Sequence, residues 1–119
     1  MRRNHRLLRV VRMSKREHNI QNEIRIWCGQ NDLLCFRCNV GRVQTIDGGW
    51  FDTGLPNGFP DLMILGHYGD IYFCECKTKT GKQRDDQVNF EHIVTERGFK
   101  YFVARSVEDV KKIFTKNKL

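Results

Sequence analysis

Residues 57–77 read NGFPDLMILGHYGDIYFCECK, and this stretch decides how the chain folds. Two apolar runs, DLMILG (61–66) and DIYFCECK (70–77), meet at the short polar turn HYGD, which is the pattern of an antiparallel strand pair. Alternation along the second run sends Phe73, Glu75 and Lys77 to one face and Cys74 and Cys76 to the other. Pro60 delivers a second acid, Asp61, to the head of the first run. Two carboxylates and a lysine therefore gather where a strand pair would ordinarily place core side chains or a solvated ion pair.

The flanking segments supply the rest of a layered domain. Downstream, residues 82–97 read as a helix stopped by Gly98, with Val88, Phe90, Ile93 and Val94 available for packing. KYFVA (100–104) is a further strand, and Ser106-Val-Glu-Asp109 has the form of a capped start to a last helix carrying Val110, Ile113 and Phe114. Upstream, Ser14 with Glu17 three residues on predicts a helix start, and the helix runs to about Gly29 with Ile20, Ile24 and Trp27 as its apolar stripe. Glu17 and Gln21 fall on or beside that stripe. LLCFRCNV (33–40) is a strand, and the Gly-rich segment 41–58 holds Asp47-Gly48, a hairpin-type turn signal. Trp50 and Phe51 in that segment suit a wedge against a partner, a contact with a second copy or ordinary packing. The order α-β-β-β-α-β-α, with a strand–helix–strand unit near the end, predicts an α/β fold: a mixed β-sheet flanked by helices.

Bulk properties narrow the function classes. A chain of 119 residues supports one domain. Residues 1–13 are expected to be a basic N-terminal arm, and residues 14–119 a single domain. No apolar run is long enough to cross a bilayer, and LLRVV is too short for a signal-peptide core. The net charge of +7 and pI near 9.4 favour a polyanionic partner. Five cysteines, an odd number, predict free thiols in a reducing compartment, the cytoplasm. Cys35, Cys38, Cys74 and Cys76 could be imagined as a zinc site, but both pairs lie within strand-like runs without the Gly-rich turns of a zinc knuckle.

Asp61 and Glu75, with nearby carbonyls and water, instead suit a hard, oxygen-seeking ion such as Mg²⁺ or Mn²⁺. Beside such an ion and a phosphate, the Lys77 ammonium can orient a water, ease its deprotonation and stabilise transition-state charge. Lys79, Lys82 and Arg84 follow the site, and Arg2, Arg3, Lys15 and Arg16 precede it, all suited to gripping phosphates.

Pro60-Asp61 followed by Glu75-Cys76-Lys77 resembles the PD-(D/E)XK nuclease signature, and the surroundings resemble its VRR-NUC branch, the virus-type replication-repair nucleases. The resemblance runs from about Ser14 to Phe114. It rests on Glu17-x-x-Ile20-Gln21, Arg37-x-Asn39-x-Gly41, Gly58-Phe-Pro-Asp61-Leu, Glu75-x-Lys77-Thr-x-x-Gly81, Gln87 and Ala104-Arg-Ser-Val-Glu-Asp109. It implies a Mg²⁺-dependent DNA endonuclease, with Mn²⁺ able to substitute. Asp61, Glu75 and the Cys76 backbone carbonyl would be metal ligands, Glu17 would support the site directly or through water, Lys77 would handle the attacking water, and Gln87 would place the lysine or the phosphate. Short members resemble phage or bacterial Holliday-junction resolvases working as homodimers on branched DNA, in the cytoplasm of a bacterial or phage-infected cell, with no membrane and no small-molecule cofactor. A restriction-type or nicking enzyme is the nearest alternative, and a catalytically silent nucleic-acid-binding module of the same fold is another.

Overall fold

The strand that carries Glu75 is buried on both faces, and the rest of the domain is built around it. The computed structural model describes residues 2–117, with side chains for 16–115. Helix α1 (Arg2–Gln30) leads into β1 (Leu34–Arg37), β2 (Arg42–Gln44), β3 (Trp50–Asp52), β4 (Leu62–Leu65) and β5 (Ile71–Cys76). Then come α2 (Asp85–Glu96), β6 (Lys100–Ala104) and α3 (Val107–Asn117). The main sheet has the order β1-β4-β5-β6. The β1–β4 and β4–β5 pairs are antiparallel, while β5 and β6 are parallel, so the sheet is mixed as expected. The parallel pair is joined through α2, since parallel neighbours need a crossover connection.

Alternation sorts the two faces. On one, Leu62, Ile64, Tyr72, Cys74, Cys76 and Ala104 meet Ile24 and Cys28 of α1 and Val110 of α3 in a single apolar core. Complete burial of a residue such as Ile24, Leu62, Ile64 or Val110 stabilises the fold by about 1.5–3 kcal/mol each. Phe114 joins the two helices to the sheet, with ring centroids 4.6 Å from Tyr72 and 6.0 Å from Trp27. On the other face α2 covers β5 and β6, and Phe59, Phe73 and Phe90 form a cluster with centroids 5.0–5.8 Å apart, Phe73 edge-to-face with each of the other two. This aromatic layer ends where Glu75 and Lys77 begin.

Three boundaries depart from the sequence reading. Helix α1 begins at Arg2, so Ser14 lies inside a helix instead of capping one. The run RLLRVVRM (6–13) contains neither Gly nor Pro, so nothing in it interrupts a helix. Helix α2 begins at Asp85 instead of Lys82, because Arg84 is extended and serves as its N-cap. The Gly-rich segment forms a separate two-stranded sheet, β2 with β3, pairing Arg42 with Asp52, Val43 with Phe51 and Gln44 with Trp50. Thr45 N–H donates to Gly49 C=O across its Asp47-Gly48 turn (2.8 Å), and the Thr45 hydroxyl donates to the Asp47 carboxylate. Trp50 and Phe51 are 60% and 62% exposed, which rules out the core-packing role that had been open to them. Among the described residues no helix is long and apolar enough to cross a membrane.

Candidate functional site

Register brings the two acids together. Leu62 lies opposite Cys74 in the antiparallel β4–β5 pair, so one step further along each strand places Asp61 opposite Glu75, on the α2 face. Asp61 is fixed from two sides. Its backbone C=O accepts from Cys38 N–H (2.8 Å), and its Oδ2 accepts from Cys76 N–H (2.8 Å). The N–H and C=O of a strand residue leave the same edge, so the Cys76 carbonyl also faces β4 and Asp61.

Glu75 is 2% exposed, and burial is the first cause of its raised pKa, pushed up from 4.5 to about 9. The adjacent Asp61 carboxylate adds to the effect, and Lys77 and Arg84 oppose it. Glu75 Oε1 accepts from Gln87 Nε2 (2.9 Å). Its other oxygen, Oε2, is buried with no hydrogen-bond partner among the described residues. A buried carboxylate oxygen without a donor costs on the order of 1–3 kcal/mol, so the site is arranged for something other than maximal stability.

Gln87 acts as a two-ended strut. Its Nε2 holds Glu75, and its Oε1 accepts from Arg84 N–H (2.9 Å), satisfying an orphan donor at the start of α2. Gly58 brings that start close to the strand bearing Asp61. A Cβ on Gly58 would lie 2.3 Å from the Asp86 carbonyl oxygen, so only glycine allows this approach. The segment Gly58-Phe-Pro-Asp61 and the first turn of α2 are thus one packed unit.

The remaining expected residues separate into two groups. Lys77 is 6% exposed and directly follows β5, its N–H donating to Ala104 C=O (3.0 Å). Glu17, on α1, has its pKa raised by burial first, with the Lys77 charge opposing and the Asp61 charge adding to the rise. Asp61, Glu75 and Gln87 are thus joined by register and hydrogen bonding, Lys77 follows Glu75 on the same strand face, and Arg84 pairs through Nε with Asp86 at 3.3 Å. Arg16, Lys79 and Lys82 are exposed, and the side chains of Arg2, Arg3 and Lys15 lie outside the described residues. Gln21, one turn beyond Glu17, is buried with its Oε1 unpartnered, a feature that helical spacing hinted at without assigning a role. Arg105, which follows Ala104 as Lys77 follows its partner Cys76, appeared in the sequence reading only within the Ala104-to-Asp109 motif, without a role of its own.

The cysteines do not converge as zinc ligands. Cys28, Cys74 and Cys76 lie in the apolar core, and Cys35 packs against it. Among the described residues no group of three or more His, Cys, Asp or Glu side chains comes together to hold a metal ion. What is available is a pair of carboxylates with backbone oxygen beside it.

No family model matches the chain, and no curated protein matches it. A solved structure described as a VRR_NUC domain superposes with a TM-score of 0.63 at 22% sequence identity, covering 84% of this chain and 95% of the other. The chain therefore has the fold of a VRR_NUC domain, the PD-(D/E)XK-like architecture its motifs resemble.

Proposed function

We propose that this protein is a metal-dependent endodeoxyribonuclease that hydrolyses phosphodiester bonds of branched DNA as a homodimer. The observation that carries the reading is the convergence of Asp61, Glu75 and Lys77 on one buried sheet face, with an oxygen of Glu75 left without a donor.

The donor set fits Mg²⁺ or Mn²⁺. It consists of oxygens only, and burial first, with the neighbouring Asp61 carboxylate next, disfavours the charged form of Glu75, so the pair awaits a positive charge. Asp61, Glu75 and the Cys76 carbonyl would hold the ion, with Glu17 joining directly or through water. Once bound, the ion would supply charge neutralisation and polarisation at the phosphate.

The chain's own residues do the rest. Cys76 N–H and Gln87 Nε2 hold the two carboxylates in fixed orientations, so little reorganisation is needed when substrate arrives. Lys77, with its ammonium in a largely enclosed site, orients the attacking water and offsets the charge that builds on the phosphate oxygens. The water oxygen forms the new P–O bond, one ester P–O bond breaks, and the departing oxygen gains a proton. Lys79, Lys82, Arg84 and Arg16, together with the basic residues of 1–13, grip neighbouring phosphates.

Symmetric cutting of two strands by a chain with one site requires a second copy, which supports a dimer. The test is incubation with linear duplex, nicked, flap and four-way-junction DNA in Mg²⁺, Mn²⁺ or EDTA, with Asp61→Ala and Lys77→Ala in parallel. Cleavage is expected to vanish with EDTA and in Asp61→Ala while DNA binding persists. Equal cutting by wild type and Asp61→Ala would defeat the mechanism.

A further inference from the structure

Arg105 stands in an arrangement that none of the foregoing uses. Cys76 of β5 is paired with Ala104 of β6, and Lys77 N–H donates to Ala104 C=O (3.0 Å), so Lys77 and Arg105 are the next residues out of two neighbouring parallel strands. A single nitrogen, Arg105 Nη1, lies 2.6 Å from Thr78 C=O, 2.7 Å from Gly81 C=O and 3.3 Å from Lys79 C=O. Three carbonyl dipoles converging on one point repel each other unless a cation sits between them. The guanidinium is therefore a reason why loop 78–81 has this shape, and not an ornament on it.

The clamp is itself anchored. Arg105 N–H donates to Asp109 Oδ2 in the first turn of α3 (2.8 Å), tying the arginine's backbone to that helix. The loop is tight at its other end, where Gly81 N–H donates to Thr78 C=O (3.2 Å), and a Cβ on Gly81 would lie 3.1 Å from Thr78 Oγ1 and 3.6 Å from Lys77 Cδ. The stem of Lys77 thus runs alongside the loop that Arg105 holds.

We propose that Arg105 is a positioning residue: by gathering the carbonyls of Thr78, Lys79 and Gly81 around Nη1 it fixes the loop leaving Lys77. Through the loop it sets the aim of the Lys77 ammonium. The catalytic consequence rests on the nuclease reading above, whereas the bracing of the loop does not.

Two measurements on Arg105→Ala and Arg105→Lys separate the two. The first is amide hydrogen exchange read peptide by peptide, with Arg105→Ala expected to speed exchange across 78–82 while β4, β5 and α2 stay unchanged. Arg105→Lys, whose ammonium has three donors for three carbonyls, is expected to restore protection. The second is cleavage kinetics with Mg²⁺, where kcat of Arg105→Ala is expected to fall roughly 10–100-fold at unchanged KM, with Arg105→Lys recovering most of it. A raised KM with unchanged kcat would make Arg105 a phosphate grip and overturn the proposal. So would exchange that rises equally in β6 and α3, which marks general destabilisation, or that does not rise in 78–82. If the wild type cuts none of the DNAs, the nuclease reading falls, and exchange alone decides: selective loss of protection at 78–82 upholds the bracing, and unchanged protection refutes it.

Discussion

Replacing Gly58 by alanine tests the contact on which the site's geometry depends. Gly58 has φ +91°, a backbone conformation that costs an L-residue on the order of 1–3 kcal/mol. The added methyl would also lie 2.3 Å from the Asp86 carbonyl oxygen, 2.7 Å from its carbon and 3.2 Å from Gln87 N. Those are backbone atoms in the first turn of a helix, so relief requires α2 or the strand bearing Asp61 to retreat. Overpacking of that kind costs about 1–3 kcal/mol more, giving a total near 4 kcal/mol, a large part of the 5–15 kcal/mol typical of a domain. Gly69, with φ +78° and open space around its missing Cβ, isolates the backbone part, so Gly69→Ala should cost only about 1 kcal/mol. Urea unfolding followed by circular dichroism, at equal m-values, measures both. Retreat of α2 would lengthen the 2.9 Å link from Gln87 to Glu75, so residual folded Gly58→Ala should also cut DNA more slowly. A Gly58→Ala midpoint matching that of Gly69→Ala would refute the close approach, and with it the role of Gln87 as a strut.

Other perturbations probe separate parts of the site. Glu75 has its pKa raised from 4.5 to about 9, so in chelator the folded state keeps a proton that the unfolded state loses between those values. The contribution of Glu75 to stability is therefore fully present below that window and falls as pH rises through it, by up to about 1.4 kcal/mol per unit, and Glu75→Gln should remove this part of the slope; parallel slopes in urea titrations of the two proteins would contradict it. Gln87→Leu strands Glu75 Oε1 and Arg84 N–H, and should lower stability by about 2–3 kcal/mol in the same assay while abolishing cleavage. Trp50→Ser should change stability by less than about 0.5 kcal/mol, because the side chain is 60% exposed; a drop of several kcal/mol in thermal unfolding would show that the hairpin is packed.

Much of this site was legible because it sits on strands. Period-two alternation has only one way to place Phe73, Glu75 and Lys77, and the short HYGD turn leaves little freedom in how β4 meets β5. Gln87 was legible through the family resemblance, and helical spacing puts it on the face of α2 that carries Phe90 and Val94. What spacing could not show is contact between distant backbones. Gly58 reads as a loop glycine until α2 is found against it, and Arg105 reads as a surface charge until three carbonyls are found around it. The start of α2 was misplaced for a related reason: its first orphan N–H is satisfied by a glutamine three residues inside the helix, and not by a capping residue at its head.

The two faces of the sheet divide the work. The α1–α3 face is a dry apolar core in which even the cysteines serve as small hydrophobes, and it carries the stability of the fold. The α2 face gives up part of that stability. Its aromatic layer stops short, and the space beyond holds an acid pair, an enclosed lysine and an acceptor with no donor. Filling that space with leucines would stabilise the domain, and nothing in the sheet's pairing forbids it. On the proposed reading, the unfavourable arrangement is relieved only when positive charge reaches the carboxylates. Binding energy is then released at the place where the phosphate must be held, because the surrounding hydrogen bonds from Cys76 and Gln87 are already made.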